Sequence, residues 1–192
     1  NIYANEFVPS DIKFTSAATN DSFMLKPANY NDGDIIAMDR ANIDYARFEE
    51  LTNRGVTYVT KMKKNLVYDT LSDTMYMLPC SLMECRVQVV EFRKHIKGGE
   101  NIKHKARIVT YVDPAKKKAK VISLLTNDMT MEVEDIIDIY RQRWEIELLF
   151  KQLKQNFPLK YFYGESANAI KIQIWVTLIA NLLLMIIQKR IK

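Results

Sequence analysis

The sequence predicts an α/β fold carrying a mostly β insertion, and three observations lead there. First, residues 35–39 (IIAMD) form a compact apolar run of the kind found in strands covered on both faces. Second, residues 44–55 (DYARFEELTNRG) set Tyr45, Phe48 and Leu51 at helical spacing and stop at Gly55, after which 56–64 (VTYVTKMKK) alternates as a strand. Strand, helix, strand in that order is a βαβ unit, which builds a parallel sheet. Third, beyond residue 65 the texture changes to short alternating runs, 85–92 (CRVQVVEF) and 106–112 (ARIVTYV), broken by 97–101 (KGGEN) and 113–120 (DPAKKKAK).

The elements follow in order. Residues 1–7, a turn around Pro9 and Ser10, and 11–18 (DIKFTSAA) read as a hairpin in which Ile12, Phe14 and Ser16 face one way. A short helical piece is expected at 22–26, and 29–34 (NYNDGD) is a polar turn leading into 35–39, whose carboxyl end is Asp39. In open α/β sheets ligand chemistry gathers at such strand ends. Residues 120–127 (KVISLLTN) close the insertion as an apolar strand. Thr130 or a neighbour then caps one long helix running to about residue 156, with Glu132, Glu134 and Asp135 in its first turn as the helix dipole favours, and Pro158 beyond its end. A last apolar helix spans 166–190. The expected division is 1–65 for the first part of the core, 66–120 for the β-rich insertion and 121–192 for the closing helices.

Composition narrows the classes. With 48% hydrophobic and 27% charged residues, the chain of 192 residues is no disordered polymer. Lys and Arg exceed Asp and Glu by 28 to 23, and the net charge of +5 mildly favours a polyanionic partner. Cys80 and Cys85 are too few for a disulfide framework and read as reduced thiols. Together with His95 and His104 they fit no familiar zinc spacing. The apolar run 172–187 is sixteen residues long and holds Gln173, Thr177 and Asn181, so it falls short of the roughly twenty apolar residues of a membrane span and reads as a buried core helix. No charged-then-apolar leader opens the sequence, and the expected setting is the bacterial cytoplasm, with no membrane partner.

Within 139–155 (IYRQRWEIELLFKQLKQ), a continuous helix turning about 100° per residue brings Tyr140, Arg143, Glu147, Lys151 and Lys154 onto one stripe about 80° wide. Ile139, Ile146, Leu149, Phe150, Leu153 and Phe157 lie beside it as the buried face. A solvated face laced with weak ion pairs accounts for such a stripe equally well. Trp144 and Trp175 read as packing residues, Tyr140 reads alternatively as a packed aromatic whose hydroxyl reaches solvent, and the lysines of 113–120 read as charges that keep a sheet edge soluble.

The spacing of Tyr140, Arg143, Glu147 and Lys154, Y-x(2)-R-x(3)-E-x(6)-K, resembles the Tyr-Arg-Glu-Lys signature of one branch of the DDE-type bacterial insertion-sequence transposases, insertion sequence family four. Around it, 124–128 (LLTND), 136–156 and 174–183 (IWVTLIANLL) are similar to that family's C-terminal block, and 35–51 with 55–65 to the block holding its second acid. The resemblance implies a ribonuclease-H-like core in which three carboxylates hold two Mg²⁺ ions, with Mn²⁺ as a substitute. It implies Asp39 as the second catalytic, metal-holding acid and Glu147 as the third, 108 positions apart. Oxygen anions suit such hard cations, which activate a water or 3′-hydroxyl and neutralise the leaving oxygen. It further implies that Tyr140, Arg143 and Lys154, with Lys61, Lys63 and Lys64, contact phosphates of double-stranded DNA at transposon ends and target, and that the protein works as a homodimer on DNA at the nucleoid. The family's first aspartate lies upstream of its hairpin; here Asp11 and Asp21 read as turn residues, so the chain is expected to be a fragment truncated at its N-terminus and inactive alone. Ala41 and Asn42 replace the family's glycine and aromatic after the second acid. Two rival readings are a nuclease of the same core, such as a junction resolvase, and a non-catalytic DNA-binding remnant or inhibitor.

Overall fold

The structure is a computed structural model describing residues 2–3, 8–9, 25–39, 44–63, 65–78, 83–94, 101–113, 120–157 and 161–191. It divides into two compact units: Asn20–Gln142, and Asn1–Thr19 with Arg143–Lys192.

The larger unit is built on a six-stranded sheet. Its strands are β3 (Ile35–Met38), β4 (Thr57–Lys61), β5 (Asp69–Met77), β6 (Glu84–Lys94), β7 (Ile102–Asp113) and β8 (Lys120–Thr126), in the order β3-β4-β8-β7-β6-β5. β3 and β4 are parallel and joined by α1 (Tyr45–Asn53), the expected βαβ unit; every other pairing is antiparallel. The strands from 66 onward therefore extend the same sheet from β4. Helix α2 (Val133–Gln142) follows β8.

The cross-strand register separates two faces, because side chains alternate along a strand. Met38, Tyr58, Leu125, Ile108, Ala106, Val90 and Phe92 share one face and pack with Phe48 and Leu51 of α1. Val59, Leu124, Val109, Tyr111, Ile122 and Cys85 share the other and pack with Val133, Ile136, Ile137 and Tyr140 of α2. Cys85 and His104 thus lie on opposite faces, which rules out a zinc site built on both; Cys80 and His95 fall outside the described residues. Burial pushes the Cys85 thiol above its ordinary pKa, so it stays protonated.

Local chemistry sets the ends of α1. Asp44 caps its start by accepting from the Ala46 amide at 3.2 Å. Its end is a Schellman closure: the Gly55 amide donates to Thr52 O and the Val56 amide to Leu51 O, with Gly55 at φ +71°. Asn127, just past β8, accepts from the Tyr58 amide at 2.9 Å and donates to Val56 O at 2.9 Å and Thr52 Oγ at 3.0 Å, so one side chain continues the ladder to β4 and ties it to α1.

The buried His104 links the buried Tyr58 and the partly exposed Glu49 in a polar chain. The Tyr58 hydroxyl lies 2.7 Å from His104 Nε2, and His104 Nδ1 lies 2.7 Å from Glu49 Oε2. A carboxylate accepts, so Nδ1 carries the proton and Nε2 accepts from the phenol. Burial lowers the His104 pKa below its ordinary 6.5, against the opposing pull of Glu49. The neutral imidazole is the folded form, so stability is complete above about 6.5 and is lost as pH falls through that value toward the lower folded pKa. The urea midpoint should therefore drop between pH 7.5 and 5.5, and His104→Gln should remove most of that difference; an unchanged midpoint in the wild type would contradict the assignment.

In the smaller unit, β1 (Ile2–Tyr3) pairs antiparallel with β2 (Val8–Pro9), a tighter pairing than the expected hairpin; residues 11–18 lie outside the described residues. The unit also holds α3 (Trp144–Asn156) and α4 (Ala167–Ile191), with Leu149, Leu153 and Leu178 buried between them.

Four expectations are corrected. The long helix is two: Arg143 keeps helical angles (φ −54°, ψ −29°), but the ladder breaks there and the Ile146 amide bonds back only three residues, to Arg143 O. Where a cap from Thr130 or a neighbour is expected, α2 starts only at Val133, and Asp128 closes the turn ahead of it, its Oδ1 accepting from the amides of Thr130 and Met131, both at 2.8 Å. The piece near residue 26 is a 3-10 turn at Pro27–Asn29, residues 22–24 lying outside the described residues. Finally, α4 runs 25 residues, long and apolar enough by length and composition to cross a membrane. It buries Thr177, Leu178 and Asn181 in the structure and exposes much of its remaining apolar surface, unlike the expected core helix.

Candidate active site

Asp39 stands immediately past β3, exposed, at the carboxyl end of that strand. One step beyond the last register pair, Met38 with Thr60, the parallel ladder brings it level with Lys61 on β4. Lys61 is half-buried and Lys63 exposed; Lys64 and residues 40–43, including Ala41 and Asn42, lie outside the described residues. Ala37, paired with Val59, belongs to the sheet face covered by α2, and Asp39 follows just past the end of the strand.

The structure places Tyr140 differently from the exposed stripe. Its residue is 5% exposed and packs with Val59, Leu124, Ile136 and Ile137. Val133, Ile136, Ile137 and Tyr140 follow i, i+3, i+4, i+7 spacing, the repeat that defines a buried helix face. This signal was present in the sequence, but the projection ran through Arg143 as though the helix were unbroken. The ring is therefore a packing element that fixes α2 on the sheet.

The remaining charged residues lie on or beside α3 in the other unit. Arg143, at the amino end of α3, donates from Nη2 to Glu147 Oε1 at 3.4 Å, and its guanidinium lies 5.7 Å from the Trp144 ring centre. The Arg143 side chain is 14% exposed and that of Glu147 50%, so a largely covered cation holds one oxygen of an open carboxylate. An i,i+4 pair of this kind contributes a few tenths of a kcal/mol, too little to explain as a stability device. Lys151 and Lys154 are exposed on the following turns. Lys154, seven residues beyond Glu147, is about 10 Å further along the helix.

The donor chemistry of Asp39 and Glu147 fits a hard divalent cation: both are exposed residues carrying carboxylates. Among the described residues no group of three or more His, Cys, Asp and Glu side chains is gathered to hold a metal ion. Asp11 and Asp21 fall outside the described residues.

The sequence model of the family described as the transposase DDE domain matches residues 2–183. The chain belongs to this family. Its six-stranded sheet with helices is the mixed α/β architecture of the ribonuclease-H-like transposase core. The transposase domain is 30% identical over 151 residues to a Synechocystis sp. protein named as a transposase for insertion sequence element IS4SA, covering 78% of this chain and 40% of that protein. It is 25% identical over 178 residues to a Sinorhizobium fredii protein named as the transposase y4zB, covering 93% and 49%. A third relative, named as a transposase for insertion sequence element IS5377 of Geobacillus stearothermophilus, is 25% identical over 195 residues, covering 95% and 47%. The transposase domain thus spans about half the length of the curated relatives it matches.

Proposed function

We propose that this transposase domain carries two of the acids for divalent-metal-dependent phosphoryl transfer on double-stranded DNA, cutting transposon ends and joining them to a target. The observation that carries the reading is the exposed Asp39 at the carboxyl end of β3, in a chain matched by the transposase family over 2–183. Asp39 and Glu147 would hold Mg²⁺, or Mn²⁺ in its place, and the bound ions would activate the attacking hydroxyl and neutralise charge on the leaving oxygen.

The chain's own residues supply the rest. Arg143 restrains one oxygen of Glu147 and leaves the other free to turn toward a ligand. Lys61, Lys63 and Lys154 offer flexible point charges to phosphates, which position DNA without reading its sequence. Tyr140 acts through its packing, holding the end of α2, with its hydroxyl as the only group suited to a phosphate. Lys64 completes the proposed set. In this reading residues 1–65 and 121–192 form the catalytic core, 66–120 are its β-rich insertion, the branch is that of the Tyr-Arg-Glu-Lys signature, and the working form is a homodimer on DNA at the nucleoid. Two acids are fewer than the three ligands of the family arrangement, so the 192-residue chain by itself is expected to cleave poorly.

Incubating the full-length protein with a duplex carrying its terminal repeats and Mg²⁺ should nick the repeat and join it to a second duplex, and chelation should stop both reactions. Cleavage that survives chelation would overturn the metal-dependent reading. Hydrolysis without joining would favour a nuclease of the same core.

A further inference from the structure

We infer that residues 161–166 and the first turns of α4 form a stacking site for unpaired DNA bases, built by Tyr161, Tyr163 and a groove beside Tyr163. The inference deepens the DNA reading above and rests on it. Three consecutive aromatics, Tyr161, Phe162 and Tyr163, are 78%, 44% and 88% exposed. A contiguous exposed apolar surface of this kind marks an interaction site, whereas single exposed residues do not.

The loop is held in place. Gln173, on α4, donates from Nε2 to Tyr161 O at 2.8 Å and accepts at Oε1 from the Tyr163 amide at 3.0 Å. One side chain thus pairs with the backbone on both sides of Phe162, as a neighbouring strand would. A loop fixed in this way loses little freedom when a ligand stacks on it. Gly164 permits the close turn into α4, since a Cβ there would stand 2.6 Å from the Ala169 methyl.

Tyr163 also lines a groove of about 600 Å³ with Phe157, Ala169, Ile172, Gln173 and Val176. Its floor is apolar with one amide, suited to a flat ring system that has polar edges. The surroundings favour a polyanion over another apolar surface. Lys154 lies one turn before Phe157 and Lys171 immediately before Ile172, both exposed, with Glu165 between the aromatics and α4. Exposed aromatics flanked by cations are the recurring platform for single-stranded nucleic acid, because every base has a π-face and stacking tolerates any sequence. The reaction proposed above generates unpaired or frayed ends, which would supply such bases.

The test uses the full-length protein and two oligonucleotide probes: a fully paired duplex, and the same duplex ending in a short unpaired tail that carries 2-aminopurine, whose fluorescence falls on stacking. Wild type should bind the tailed duplex more tightly and quench its fluorescence. Tyr161→Ala with Tyr163→Ala should weaken tailed-duplex binding by roughly 10- to 100-fold and abolish quenching, with affinity for the paired duplex unchanged. Tyr161→Phe with Tyr163→Phe should restore both, separating stacking from a hydroxyl contact. Alanine variants that bind and quench like wild type would overturn the stacking site while leaving the DNA reading intact, as would variants that alter only self-association, the mark of a protein-docking face. Absence of salt-dependent binding to either probe by wild type would overturn the DNA reading and the stacking site with it.

Discussion

Asp39→Asn or Glu147→Gln in the full-length protein is expected to slow cleavage at the transposon end by at least on the order of 10²–10³-fold, the scale of removing one group that stabilises charge in a transition state. Each substitution keeps the shape of the side chain and removes its negative charge, which is what a hard divalent ion requires of its ligand. Neither should unfold the protein. Asp39 is exposed, and the Glu147 carboxylate is half open to solvent and engaged by Arg143 at the long distance of 3.4 Å. Loss of that pair costs only a few tenths of a kcal/mol. The thermal midpoint and duplex affinity should therefore match wild type while the rate falls. Single-turnover cleavage of an end-labelled duplex measures this, and a variant cutting within about tenfold of wild type would remove that acid from the proposed site.

The second large effect concerns the frame that presents Asp39. Phe48→Ala should destabilise the larger unit by about 3–5 kcal/mol, the usual cost of deleting a fully buried aromatic. The Phe48 ring is completely buried and stacks on Tyr58 with centroids 4.1 Å apart and planes 22° from parallel. Removing it opens a cavity beside the Tyr58–His104–Glu49 chain and loosens α1 against β4 and β7. β3 pairs with β4 among the described residues, so the strand that carries Asp39 depends on the element that Phe48 anchors. Urea unfolding followed by far-UV circular dichroism should show the midpoint falling with little change in slope. A loss below about 1 kcal/mol would mean the site relaxes around the deletion, contrary to a close-packed core.

Much of this frame was legible in the sequence where local and global preferences agree. Gly55 marks the end of α1 because the closure there needs a positive φ, and the apolar periods on either side of it switch from strand to helix and back. Strands β6 and β7 announce themselves by alternation, and β8 by its apolar run. β5 does not: all nine of its residues are exposed, and its pairing with β6, with a register shift between Thr70 and Ser72, comes from a partner rather than from its own pattern. The break at Arg143 has no glycine or proline to reveal it, so a uniform projection put Tyr140 on the polar rim while its spacing from Val133, Ile136 and Ile137 placed it in the core. The Tyr58–His104–Glu49 chain was invisible for another reason: its members are 46 and 55 positions apart and meet only through the sheet register.

The proposed catalytic residues were legible only through their spacing and the family that shares it. Exposed acids and lysines carry no periodic signal, and an Arg–Glu pair one turn apart looks the same on any solvated helix. What distinguishes them is position. Asp39 ends a strand, and Glu147 follows a covered arginine that holds one of its oxygens.

If Asp39 and Glu147 both ligate the ions that would drive cleavage, a thiophilic metal should rescue their cysteine variants. Asp39→Cys and Glu147→Cys, each in the full-length protein, should be inactive on the end-repeat duplex in Mg²⁺ and regain cleavage in Mn²⁺, which accepts a sulfur ligand more readily. Cysteine variants that cleave in Mg²⁺ as fast as wild type, or that regain nothing in Mn²⁺ while wild type remains active in it, would contradict the claim.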